Sequence, residues 1–325
     1  MAGRFTPHTP HPAGQGTPHI PRPAGQTRVW AAKGPLDLAL TLGPLRRGPG
    51  DPTYRTTPDG TVWRTSRTPA GPATLRVRAS GDTAHAEAWG AGAEWMLDQL
   101  PAMLGALDDP EAFEPRHRFV AETQRRRPGL RLTRTGLVLE SLIPSVLEQK
   151  VTATEAYRAW RLLVRGFGEP APGGAPEGMY VMPDAKGWAM IPSWEWHRAG
   201  VDSKRSDTVM RAVRVARRME EAAAMDQAKA AERLQLIPGI GPWTAAETLQ
   251  RAIGAADLVT VGDLHLPGII GHALAGNRNA DDVEMLALLE PYAGQRHRAA
   301  RLVLLSGRTP PRRAPRFQPN NIAVL

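Results

Sequence analysis

Between residues 236 and 246 the chain reads Leu236-Ile237-Pro238-Gly239-Ile240-Gly241-Pro242-Trp243-Thr244-Ala245-Ala246, and no other stretch constrains the fold as tightly. Helical spacing on the N-terminal side ends at Ile237. Two glycines then open backbone conformations that other residues avoid, and helical spacing resumes at once. The reading is two helices joined by a compact hairpin. With no side chains at Gly239 and Gly241, a phosphate can approach main-chain N–H groups and the positive N-terminal end of the second helix. A Gly-x-Gly turn alone serves any tight connection between helices, so the hairpin by itself leaves a purely structural role open.

Charge narrows the choice. Lys and Arg number 41 against 32 Asp and Glu, a formal net charge of +9. Such a chain is predisposed to polyanions, because each phosphate it neutralises releases condensed counterions. An arginine-rich composition on its own gives basic proteins of every kind. The chain has no cysteine, which excludes disulfides, thiolate zinc sites, iron-sulfur clusters and cysteine nucleophiles together. No apolar run approaches the length of a membrane span, and no signal-peptide pattern opens the chain, so no membrane association and a cytoplasmic, nucleoid-associated location are expected.

The organisation expected is α+β. Residues 1–26 are rich in Pro, Gly, Thr and His and are expected to be a disordered tail, with His8, His11 and His19 solvated. Residues 27–112 form an N-terminal α+β domain. Its β-type segments are Val29-Trp30, Leu36 to Leu42, Thr61 to Arg64, Leu75 to Ala79 and Thr83 to Ala88, with hairpin signals at Asp59-Gly60 and Ser80-Gly81-Asp82. An amphipathic helix carrying Trp95, Met96, Leu100, Met103, Leu104 and Leu107 follows, placed to cover one face of an antiparallel sheet. Residues 113–308 read as helices only: Leu137 to Gln149, Ala153 to Phe167, Ser206 to Met225, Ala228 to Ile237, Thr244 to Ile253, Ala280 to Leu289 and Gln295 to Leu305. Gly168 to Met182 is a loop between two of them. Residues 309–325 are a Pro/Arg-rich tail. Basic clusters at Arg125-Arg126-Arg127, along Arg211, Arg214, Arg217 and Arg218, at Arg296, Arg298 and Arg301, and at Arg312, Arg313 and Arg316 are DNA-facing candidates, at least half of them ordinary solvated faces.

Twenty residues beyond Trp243, Val259-Thr260-Val261-Gly262-Asp263-Leu264-His265 places a carboxylate before a helix that starts near Leu264 or Pro267. Asp263 can cap that helix. A fixed anion can also stabilise positive charge developing on a sugar, or orient a water that attacks it.

The string LIPGIGPWTA resembles the hairpin of the helix-hairpin-helix DNA glycosylases, with an aspartate following beyond the second helix. Within that superfamily the likeness is greatest to the bacterial DNA-3-methyladenine glycosylase II enzymes. The segment Arg127-Pro128-Gly129-Leu130-Arg131-Leu132, the helix around Leu142 to Lys150, and Gly200-Val201 with Lys204-Arg205 add to it. The resemblance implies an N-terminal sheet domain followed by an all-α glycosylase domain. It makes Asp263 the catalytic residue and makes Pro238, Gly239, Ile240, Gly241, Thr244, Gln149 and Lys150 the DNA contacts, with Trp243 and Leu304 in the base pocket. No metal or organic cofactor is required, and a monovalent cation at the hairpin carbonyls is implied. The expected partner is double-stranded DNA with a damaged, alkylated base, bound by a monomer. Trp243 stands where glycosylases that also nick the backbone carry a lysine, so a water-using enzyme follows. Two residues depart from the pattern: Lys150 replaces an apolar wedge, and Leu304 stands where a pocket tryptophan belongs. Two alternatives stay open, a non-catalytic DNA-binding protein and a glycosylase for an oxidised, deaminated or cross-linked base. Trp188, Trp194 and Trp196 read as core rather than pocket.

Overall fold

Alternation in the N-terminal third produces five antiparallel strands. The computed structural model describes residues 25–311 and Pro319, so the two tails, with the histidines of the first and the arginines of the second, lie almost wholly outside the described residues. The elements run β1 (Gln26–Ala31), α1 (Leu38–Leu42), β2 (Tyr54–Thr56), β3 (Val62–Thr68), β4 (Gly71–Ser80), β5 (Thr83–Trp89) and α2 (Ala93–Met103), and the sheet order is β1-β5-β4-β3-β2. Register puts Leu75 opposite Ala88 and Val77 opposite Ala86, a large side chain against a small one on the buried face. The shallow floor this leaves is filled from α2 by Met96, Leu100, Met103 and Leu104.

The segment from Leu36 to Leu42, expected as a strand, is instead α1. Asp37 Oδ1 accepts from Leu40 N at 2.9 Å and so caps a helix. Leu38, Thr41 and Leu42 are buried at helical spacing. A run this short fits either period, and the cap decides it.

From residue 118 onward the regular structure is helical except for one short ribbon. The helices are α3 (Arg118–Arg126), α4 (Val138–Leu147) and α5 (Ala153–Phe167), the last opened by a Thr152/Glu155 capping box. The expected loop holds the two-stranded ribbon β6 (Glu169–Pro170) and β7 (Tyr180–Val181). Then follow α6 (Ala185–Ala189), α7 (Ser193–Arg198), α8 (Ser203–Arg214), α9 (Ala216–Glu220), α10 (Gln227–Gln235), α11 (Pro242–Ala252), α12 (Leu266–Ala275), α13 (Asp282–Leu289) and α14 (Arg296–Leu305). The single long helix expected from Ser206 to Met225 is broken at Val215. The break turns Glu220 back onto α4, where its carboxylate accepts from Val138 N and Leu139 N at 2.8 and 2.9 Å. It thereby caps a helix whose own N-cap residue, Leu137, offers no side-chain acceptor.

Three groups of buried side chains result. One joins the sheet to α1 and α2. The second gathers α4, α5, α8, α10 and α11, and includes Trp160, Trp188 and Trp196, whose stacked rings confirm the core reading for Trp188 and Trp196. Trp194 is exposed instead. The third packs Phe113 and α3 with α12, α13 and α14. The sheet is tied to α4 by the buried ion pair of Arg64 with Glu140, whose carboxylate also accepts from Ser66 Oγ and Arg67 N. Removing one partner strands a buried charge, so Glu140→Ala is expected to lower the unfolding free energy by about 3–5 kcal/mol. Urea denaturation measures this, and a loss below about 1 kcal/mol would show that the pair does not hold the joint. Among the described residues no helix is long and apolar enough to cross a membrane.

Candidate active site

The hairpin is built as its residues require, with one correction. Gly239 has φ +100°, and a Cβ there would lie 2.1 Å from Thr208 Oγ1, so both its conformation and its packing on α8 demand glycine. Gly241 does not need special freedom: its φ is −100° with extended ψ, and a Cβ would meet nothing within 4 Å. Its missing side chain keeps open the space in front of the α11 N-terminus. Pro242 at the first helical position has no N–H, leaving the amides of Gly241, Trp243 and Thr244 as donors at that end. Pro238 is exposed, whereas Ile240 and Thr244 face inward. Ile240 is buried in the helical core, and Thr244 is buried with its hydroxyl accepting from Gln149 Nε2 at 2.8 Å. Both can offer DNA only main-chain atoms. The carbonyl of Pro238 accepts from Arg211 Nη1 at 3.2 Å, and that of Gly239 accepts from Gln149 Nε2 at 2.9 Å.

Asp263 is brought to the same place from the other side. Its Oδ1 accepts from His265 N and Leu266 N at 2.8 and 2.9 Å, and its Oδ2 accepts from the Trp243 indole Nε1–H at 3.0 Å. The carboxylate therefore caps α12, and the first turn of α11 holds its other oxygen. Three donors fix its orientation at the junction of the second and third cores. Positive φ at Gly262 (+87°) delivers the turn into it. Trp243 is thus a positioning group for Asp263 as well as a pocket candidate. Leu264, next along the chain, is 77% exposed and presents an apolar side chain beside the carboxylate.

Gln149 and Lys150 follow the end of α4. Both hydrogens of the Gln149 amide nitrogen are engaged by the hairpin, so its side-chain oxygen can act only as an acceptor. Lys150 is exposed and has φ +55°, the sole non-glycine residue with positive φ among those described. Such a conformation costs free energy and recurs where function holds it in place. Leu304 lies on α14 with its side chain exposed. Two members of the basic cluster on the same helix are structural. Arg298 is buried against Asp108, and Arg296 pairs with Asp257 and Glu290. A cavity of about 240 Å³ lined by Pro242, Ala246, Leu258 and Val261 lies off another side of α11, and its walls include neither Trp243 nor Asp263.

Sequence reasoning missed the polar residues beside this centre. Glu247 and Arg251 follow Trp243 at intervals of four along α11 and pair at 2.6 Å. Arg47 reaches Glu148 at 2.9 Å, directly before Gln149. The spacing Trp-x3-Glu-x3-Arg was the available signal for the first pair. Nothing local marks the second.

No family model matches the chain, and no curated protein matches it in sequence. Solved structures do match. The 3-methyladenine DNA glycosylase from Archaeoglobus fulgidus superposes with a TM-score of 0.70 at 18% identity, covering 86% of this chain and 98% of that one. MBOgg1 in complex with a low-affinity DNA ligand gives 0.68 at 17% identity, covering 87% and 96%. The Clostridium acetobutylicum 8-oxoguanine glycosylase/lyase, bound to duplex DNA with cytosine opposite 8-oxoguanine, gives 0.66 at 11%, covering 86% and 97%. The chain therefore has the fold of the helix-hairpin-helix DNA glycosylases over most of its length.

Proposed function

We propose that this protein is a monofunctional DNA glycosylase: it extrudes a damaged base from the duplex and hydrolyses the bond between base and sugar, leaving an abasic site. The observation that carries the reading is the hydrogen bond from Trp243 to Asp263, which joins the hairpin helix to a fixed carboxylate. The fold shared with DNA glycosylases that act on different lesions supports the reaction class.

The hairpin grips without reading sequence. The free amides at the start of α11 and the open space over Gly241 suit a backbone phosphate. Lys150, held out from the turn after α4, is placed to fill the gap beside an extruded base with its stem and to meet phosphate with its ammonium. When the C1′–N bond breaks, its electron pair leaves with the base and positive charge grows on the sugar. Asp263 stabilises that charge from a position fixed before the reaction begins. Water adds at C1′, and its proton passes through the carboxylate to the departing base or solvent. Of the hairpin carbonyls, Pro238 O accepts from Arg211, Gly239 O from Gln149 and Ile237 O from Ile240 N, so a monovalent cation there would share these oxygens or use Ile240 O. Neutral oxygens suit a hard ion whose charge then faces phosphate.

No amine stands at position 243, so no Schiff base can form there. Borohydride added during turnover of a damaged duplex is expected to trap no covalent adduct, while free base and unnicked abasic DNA accumulate. A trapped adduct would contradict the water route.

A further inference from the structure

Trp243, Glu247 and Arg251 stand on successive turns of one face of α11, so the stripe begins at the residue that holds Asp263 and runs away from it. Arg251 is fixed at its far end by donating to Pro44 O at 2.9 Å and to Glu247 Oε2 at 2.6 Å. Beside it the Arg47–Glu148 pair closes the wall from the sheet side, with both side chains largely buried. Tyr157 is pressed against Gly48, where a Cβ would lie 2.1 Å from its ring. From α14 comes Arg301, which donates to Leu40 O and forms no ion pair among the described residues. Arg47 and Arg251 thus pair with Glu148 and Glu247, whereas Arg301, without an ion pair of its own among the described residues, has Arg251 and the Arg298–Asp108 pair as its charged neighbours. His297 adds no charge: desolvation, with Arg301, Arg251 and Arg298 around it, holds it well below the usual imidazole range.

Resting on the base-excision reading above, we propose that Glu247 and Arg251 select the extruded base, and that the site takes a neutral lesion rather than a cationic alkylated one. Such a lesion presents C=O acceptors and N–H donors, as an oxidised or deaminated purine does. Arg251 spends Nε and Nη1 on Pro44 O and Glu247, which leaves its Nη2–H as donor beside Glu247 Oε1 as acceptor, a pair that suits an edge carrying both C=O and N–H. A base with a fixed positive charge brought against this wall would meet Arg251 and Arg301, both half-buried, and like charges repel more strongly away from bulk water. The aromatic surface that would offset this is limited. Of the two rings beside this wall, Tyr157 is covered on one side by the Gly48 turn, which leaves the face of the Trp243 indole.

The test is single-turnover base release from duplexes that differ only in the lesion, 8-oxoguanine or hypoxanthine against 7-methylguanine. The wild type is expected to release at least one neutral lesion about tenfold or more faster than 7-methylguanine. Arg251→Gln, checked for an unchanged melting temperature, should bring that ratio down toward unity, and Glu247→Gln should slow the neutral lesion selectively. Faster release of 7-methylguanine by the wild type overturns the proposal whether or not the variants fold. So does an unchanged ratio in a folded Arg251→Gln protein. Release of no base from any duplex that the protein binds would instead remove the base-excision reading, and the proposal with it.

Discussion

Asp263→Asn is expected to cut single-turnover base release by at least about a thousandfold while leaving the Kd for duplex DNA within about threefold. Asparagine retains one carbonyl oxygen, which can still accept from His265 N and Leu266 N and so keep the cap on α12. What it loses is the negative charge and the second acceptor. Its amide nitrogen would meet the Trp243 indole N–H, donor against donor, where Oδ2 now accepts at 3.0 Å. The variant thus separates the two roles the carboxylate plays in one place. Burst measurements with enzyme in excess, beside thermal melting, check this. Release as fast as wild type, from a protein of wild-type stability, would reduce Asp263 to a helix cap.

The two hairpin glycines should fail in different ways. Gly239→Ala must place a Cβ 2.1 Å from Thr208 Oγ1 on a backbone at φ +100°, so the hairpin has to leave α8. A loss of about 1–3 kcal/mol in stability is expected, and with it at least tenfold in DNA affinity, since Arg211 and Gln149 both anchor to hairpin carbonyls. Gly241→Ala meets no atom within 4 Å and needs no unusual φ. It should melt like wild type and still bind duplex more weakly, because the added methyl occupies the space a phosphate enters. Fluorescence anisotropy with labelled duplex and thermal melting together decide the matter. Equal melting temperatures for the two variants would show that Gly239 is not the structural one.

Much of this is legible in the sequence, for a physical reason. A hairpin that forces positive φ and a helix start that needs a cap are local events, and Pro238-Gly239-Ile240-Gly241 and Asp263 announce them in their own residue types. What the local pattern could not tell apart was the reason for each glycine: Gly239 is needed for conformation, whereas Gly241 leaves space. Short apolar runs were equally ambiguous. Leu36 to Leu42 alternates well enough for a strand, and only the Asp37 side chain folding back to Leu40 N makes it a helix. The break at Val215 was hidden because the groups it brings Glu220 to, Val138 N and Leu139 N, lie some 80 residues away along the chain. The polar wall was the least accessible part. Arg47, Glu148, Glu247, Arg251 and Arg301 come from four separate segments, and only folding makes their charges neighbours.

The sheet bears on function indirectly. Through Arg64 and Glu140 the sheet fixes α4, and α4 carries Gln149 and Lys150 into place beside the hairpin. Strain at Lys150, with φ +55°, is therefore supported from two sides, by the α4 anchor and by the capping box that starts α5.

The most direct test of base excision is abasic-site formation by the purified full-length chain, followed as alkali-labile cleavage of labelled duplexes that each carry one damaged base. The structure predicts that wild-type protein generates such sites on at least one lesion and that Asp263→Asn, bound to the same duplex, generates none above background. Tight binding to every duplex with no abasic site formed on any of them would contradict it, and would leave the hairpin as a grip on DNA without chemistry.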